Sequence, residues 1–411
     1  MAIFPKKSIS NTGTISVSDL GGNFVRTLIN AILDQKDAGR TDVKLDFSKL
    51  HQGPVWPHNI VPIAAFIDQL KEEENMSFTA ISPHSYLEHT NFLDPLAPGF
   101  TSQSPTVLNR VWKFSSSEDV FKLVTEYIDE IYKSDVVEGE NVLKALEWSL
   151  NEVMDNVIQH AETNSGFVMG QIHPTSKHVA FCIADYGRGI LNSLRSSPDV
   201  NFRVSNAEDA LTLALQEGVT RDKSVGQGNG LWGLKGFSTQ SSGQLRLSSD
   251  GKTIDLSHAD QVDFHPYPRL SRVGGGTVVD FQIDYTKPIL LDAFLGGYDP
   301  ASLKLIKLSD GSGTLNYKLI DQKSGFGTRK SGERIRNEVI NLQKTGDFVN
   351  IDFAGVNVIS SSFADELVGK LYAMYGPLGF SNYFKLLNMN DFVEPLVNKA
   401  VVQRLNTEFN S

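Results

Sequence analysis

The chain has 411 residues, is 40% hydrophobic and 21% charged, and carries a net charge of −10. That length fits two or three domains, and the acidic balance argues against general nucleic-acid or membrane-surface binding. A single cysteine, Cys182 in the apolar run Val179–Ala184, excludes an intrachain disulfide and a cysteine-rich zinc site and reads as a buried thiol.

Residues 1–100 alternate between strand and helix patterns. Thr14–Ser18, Val43–Phe47 and Ser77–Ile81 read as strands. Between them, Val25, Leu28, Ile29 and Ile32, then Ile63, Phe66, Ile67 and Leu70, fall at helical spacing. This predicts a small βαβαβ unit. Residues 100–117, rich in Ser, Thr and Pro, read as a connection. Helices are expected from Glu118 and over Glu140–Ala161, then a strand pair, Gly166–Ile172 and His178–Ala184. A helix over 208–217 precedes a Gly-rich loop. Asp250-Gly251 splits a hairpin, and Gly274–Ile283 holds a closing strand. Residues 118–290 therefore predict an α+β sandwich within an α/β chain. A third unit, 299–411, shows helix at Arg334–Gln343, strand at Val349–Phe353, helix at Phe363–Tyr375 and strand at Tyr383–Leu387. No stretch of ~18 apolar residues marks a membrane span. The start, Met1-Ala-Ile-Phe-Pro, has no apolar signal region, so the cytoplasm is the expected compartment.

The two ends resemble each other. Val43–Leu50 parallels Val349–Val356, and Asn91–Leu96 parallels Asp391–Leu396, in the same order. This predicts a duplicated βαβαβ domain.

Four segments in the middle domain carry chemistry. On Leu150–Ala161, Glu152, Asn156 and His160 share one helix stripe. Asn156 can ligate Mg²⁺ through its carboxamide oxygen, and Glu152 can polarise a hydroxyl or water attacking a γ-phosphate. The plainer reading is an exposed polar stripe. In Asp185-Tyr-Gly-Arg-Gly189, a strand-end carboxylate can accept from an adenine amino group while Gly187 and Gly189 admit the base; an ordinary turn has the same composition. Gly226, Gly228 and Gly230, with Leu231 opening an apolar helix, can cradle phosphates, with Arg221 and Lys223 just upstream. No Gly-Lys-Ser/Thr follows, so this is not a P-loop. Thr277 enters the closing strand, where its hydroxyl can share the adenine site.

Taken in order, these segments resemble the GHKL (Bergerat) ATPase superfamily, which includes histidine kinases and the anti-sigma-factor serine kinases. Glu152 and Asn156 match its N box, Asp185, Gly187 and Gly189 its G1 box, Gly226, Gly228 and Gly230 its G2 box, and Thr277 the threonine before the closing strand. The resemblance implies ATP and Mg²⁺ as cofactors, with Asp185 on adenine, Asn156 on Mg²⁺ and Glu152 as base. Trp232 departs from the usual small residue. The segment Ile351–Leu367 resembles STAS domains, with Ser361 at the phospho-acceptor position; Ser360 and Phe363 depart from that pattern. The same serines suit a helix cap. The corresponding turn at Gly53–Asn59 offers no acceptor, which suggests a docking role.

The expectation is an ATP-binding regulatory protein that hydrolyses ATP or transfers phosphate like a serine kinase. Its STAS-like ends would bind a protein partner, and a homodimer is compatible with this. A nucleotide-gated switch with negligible turnover, in a stress, sigma-factor or bacterial defence pathway, is the alternative. A histidine kinase fits less well, because the acidic neighbour of His89 is Glu88, on the wrong side.

Overall fold

The computed structural model describes residues 13–50, 53, 55–99, 106–137, 139–163, 165–197, 204–219, 230–258, 261–271, 275–291, 314–322, 325–343 and 348–408. The chain forms two compact units, Met1–Pro300 and Ala301–Ser411, of mixed α/β structure. Among the described residues no helix is long and apolar enough to cross a membrane.

The first unit opens with β1 (Thr14–Ser16), α1 (Phe24–Asp37), β2 (Asp42–Asp46), α2 (Pro57–Glu74) and β3 (Ser77–Ile81). The strands make a parallel sheet in the order β1-β2-β3. Pro57 suits the first turn of α2, where no N–H partner is lost, and Asn75 ends it in the left-handed region at φ 52. A short helix, α3 (Ser85–His89), follows.

The rest of this unit is a seven-stranded sheet with helices α4 (Ser117–Lys133), α5 (Glu140–His160), α6 (Gly189–Arg195), α7 (Ala207–Ala214) and α8 (Gly230–Gln240). Its strands are β4 (Trp112–Phe114), β5 (Gly166–His173), β6 (His178–Asp185), β7 (Gln244–Ser249), β8 (Lys252–His258), β9 (Gln261–Pro266) and β10 (Thr277–Asp284). They lie antiparallel in the order β4-β5-β6-β10-β7-β8-β9. The last strand thus slots into the middle, which sets Thr277 directly opposite Asp185.

β6 is buried from Val179 to Asp185, on both faces. On one face Phe181 meets Tyr127 of α4 edge to face, with centroids 5.0 Å apart. On the other, Cys182 and Ala184 join a core shared with Phe66, Ile67 and Leu70 of α2. Two covered faces explain why the strand reads as a continuous apolar run rather than an alternation. Cys182 is the expected core thiol, and burial pushes it well above the ordinary range. The first 100 residues therefore share one core with the seven-stranded sheet.

Trp112–Phe114, expected to be connection, is the edge strand β4. Trp112 and Phe114 are buried, and the Phe114 ring occupies the space a side chain at Gly166 would need. Three residues are too few to show a period, so tertiary packing alone makes this strand.

The second unit contains β11 (Thr314–Lys318), α9 (Arg329–Gln343), β12 (Phe348–Asp352), α10 (Ser361–Ala364), α11 (Lys370–Tyr383), β13 (Phe384–Leu387) and α12 (Val393–Glu408). A π-helical turn, Asp365–Gly369, joins α10 to α11. The sheet is parallel in the order β11-β12-β13. Buried Glu366 is held by Arg336, Arg329 and Lys370, and Arg404 of α12 grips Asp365 through two 2.7 Å bonds.

From β2 and β12 onward the two small sheets share a set of bonds. Asp46 and Asp352 each accept from the backbone two residues on. Phe47 N–H donates to Ile81 O and Phe353 N–H to Leu387 O, both at 2.9 Å. His84 and Asn390 each cap the helix after the third strand, accepting from Leu87 N–H and Val393 N–H. One offset relates all these pairs. It sets Phe392 opposite Tyr86, so the expected match of Asn91–Leu96 with Asp391–Leu396 is six residues out of register and is a coincidence. The duplication rests on Val43–Leu50 and Val349–Val356.

Candidate functional site

Helix α5 joins the predicted residues. Val153, Met154 and Val157 are buried and fix its rotation, leaving Glu152, Asp155 and Asn156 half-buried. The first residue of α8 packs directly on that stripe. A Cβ at Gly230 would lie 2.7 Å from Glu152 Oε2 and 3.6 Å from Asn156 Nδ2. One turn on, Gly233 sits under the Trp148 ring, which meets Phe237 edge to face. Glycine is needed at Gly233 for this close approach, while a side chain at Gly230 would displace the Glu152 carboxylate. Leu231 is half-buried beside Gly230. Arg221, Lys223, Gly226 and Gly228 lie outside the described residues.

The other end of α5 meets the Asp185–Gly189 loop. Arg188 N–H donates to Ala161 O at 2.8 Å, and Arg188 pairs with Glu162. A Cβ at Gly187 would lie 2.1 Å from that same Ala161 oxygen, so any side chain there would force the loop off the helix. Gly189 adopts φ +77 at the start of α6. Its neighbours Ile190 and Leu191 donate their N–H groups to Ser249 Oγ and Asp250. Gly276 N–H donates to Gly187 O, and Ser249 Oγ donates to Gly276 O at 2.8 Å.

Asp185 is 3% exposed. Its Oδ1 accepts Gly187 N–H at 2.8 Å, and Thr277 donates to it from the facing strand. Burial pushes its carboxyl up to about 6, against the pull of those donors. Burial also raises Glu152, assisted by the negative charge of Asp155, which burial itself raises. Both site carboxylates are thus desolvated, a cost that folding alone does not require and that often marks function.

Sequence reasoning passed over Tyr186, Ser249, Asp250 and Gly275. Asp250-Gly251 looked like a hairpin turn and nothing more. Its further use, clamping the start of α6, depends on β7 lying two strands from β6. In the second unit Ser360 is the helix cap, its Oγ accepting Phe363 N–H at 3.0 Å, and Ser361 is exposed.

No curated protein and no solved structure matches the chain. Residues 331–394, from α9 into the first turn of α12, match a family described as "STAS-like domain of unknown function (DUF4325)".

Proposed function

We propose that residues 118–290 bind ATP with Mg²⁺ in a GHKL-type Bergerat fold, and that STAS-like domains on either side couple nucleotide to a protein partner. The observation that carries this is the span of α5. One helix touches the start of α8 through Glu152 and Asn156, and the Asp185 loop through Ala161. Segments far apart in sequence, at Gly230 and at Asp185–Gly189, therefore pack on one helix and its end, which supports the reading.

The donor set suits the ligand. Asp185 accepts from Gly187 and Thr277, and a carboxylate with about four lone-pair sites keeps room for an exocyclic amine. Asn156 offers an oxygen ligand to a hard cation. Glu152, raised by burial, is a stronger base than a solvated carboxylate and suits proton removal from an attacking hydroxyl. The family match at 331–394 and the shared bonds at residues 46, 47 and 84 support reading both ends as STAS-like.

The test combines ATP binding with phosphate release and with transfer of labelled γ-phosphate. Asp185→Asn is expected to abolish binding, and Glu152→Ala to keep binding while losing about 10²-fold or more in turnover. Equal binding by wild type and Asp185→Asn would remove the proposed adenine site. Tight binding with no product from wild type would make the domain a switch rather than a catalyst.

A further inference from the structure

Successive residues at a strand end point to opposite faces. Asp185 faces the proposed nucleotide; Tyr186 faces α2. The Tyr186 ring is 7% exposed and leans on Phe167, with centroids 6.1 Å apart. Its hydroxyl donates to Glu72 Oε2 at 3.2 Å. Glu72 is itself held by Lys113 of β4, which also pairs with Asp68 at 2.9 Å and lies 5.9 Å from the Phe167 ring centroid. This cluster joins α2, β4, β5 and the loop after β6.

We propose that Glu72 is a positioning residue for the nucleotide site: through Tyr186 it holds Asp185 and the Gly187–Gly189 loop in the binding arrangement. The inference rests on the nucleotide reading given above. Three observations favour a positioning role over mere packing. The tether falls on the residue next to Asp185. The loop it anchors is otherwise held by backbone bonds to Ala161 and Gly276, by the Arg188–Glu162 ion pair and by the Asp185 carboxylate, none of which reaches α2. The Glu72 side chain is 44% exposed, so anything that contacts the end of α2 reaches it. By linkage, a partner that draws Glu72 away weakens nucleotide binding, and nucleotide weakens that partner equally.

The experiment uses the full chain in five forms: wild type, Tyr186→Phe, Glu72→Ala, Glu72→Gln and the Tyr186→Phe/Glu72→Ala double variant. The first readout, without nucleotide, is amide exchange at Gly187. The second is the Kd for Mg-ADP. Tyr186→Phe and Glu72→Ala are each expected to speed exchange and weaken ADP by about three- to tenfold, with the double variant no weaker than either single. Glu72→Gln, which keeps an acceptor, is expected to restore most of both. Additive losses, or singles indistinguishable from wild type while wild type binds ADP, would overturn the tether alone. No ADP binding by wild type would overturn the nucleotide reading and the tether's role in it. Tyr186→Phe retains the ring in the core, so loss of fold does not confuse the result.

Discussion

Asp185 is a residue whose fold and proposed function pull against each other. Its folded pKa of about 6 lies above the ordinary value of 3.8. The protonated form therefore stabilises the fold below pH 3.8, and this contribution is lost as pH rises through about 6. The loss at neutral pH is about 3 kcal/mol at 1.36 kcal/mol per unit. Asp185→Asn is expected to raise the melting temperature at pH 7 and to leave it nearly unchanged near pH 4. No gain at pH 7 in calorimetry would show that the carboxylate is not strained by burial. Nucleotide affinity should move the other way, weakening as pH falls through about 6, because the ionised carboxylate is the better acceptor.

At the scale of the element, the packing of α8 on α5 depends on Gly233. Gly233→Ala would set a Cβ 2.3 Å from the Trp148 ring. We expect a loss of about 1–3 kcal/mol in denaturant unfolding, typical of overpacking. Trp148→Leu in the same chain should recover part of it. In the second unit, Ser360→Ala should cost about 1 kcal/mol and Ser361→Ala close to nothing, since only Ser360 caps α10. Unfolding midpoints of the two variants would separate these roles, and equal losses would contradict the cap assignment.

Long periodic elements were legible in the sequence. Both predicted helices of residues 1–100, α5, β5 and β6 fall within a few residues of where spacing and composition put them. Elements made by packing were not. β4 is three residues long, and β10 gains its place between β6 and β7 only from the whole sheet. The candidate site was read from residue types in order; of these, Gly187 and Gly230 pack against α5 and its C-terminal end, while Arg221, Lys223, Gly226 and Gly228 lie outside the described residues. What escaped were its supports, Ser249, Asp250 and Tyr186, because each acts through a partner tens of residues away. The false match at Asn91–Leu96 shows the opposite hazard. A shared Asp/Glu-Pro-Leu string outvoted the register that backbone bonding requires.

At the scale of the molecule, the apolar face made by Phe167, Met169, Cys182, Ala184 and Val278 is covered by the first 100 residues. A chain lacking residues 1–100 is expected to aggregate, because this mostly apolar face would then meet water. Light scattering after purification checks this; a monodisperse, folded product would mean the face tolerates solvent. Residues 301–411 carry their own core and should unfold as one cooperative transition when expressed alone.

The helix after the third strand has sixteen residues in the second unit, where α12 packs over the π-helical turn, and five in the first. α2 is covered instead by β5, β6 and β10. In the first unit the seven-stranded sheet thus packs on α2 where the second unit has a long helix. A segment mimicking α12, grafted after Thr90, would become a competitor for α2. Its gain would be the sheet's loss, and through Tyr186 that rivalry would reach the loop beside Asp185.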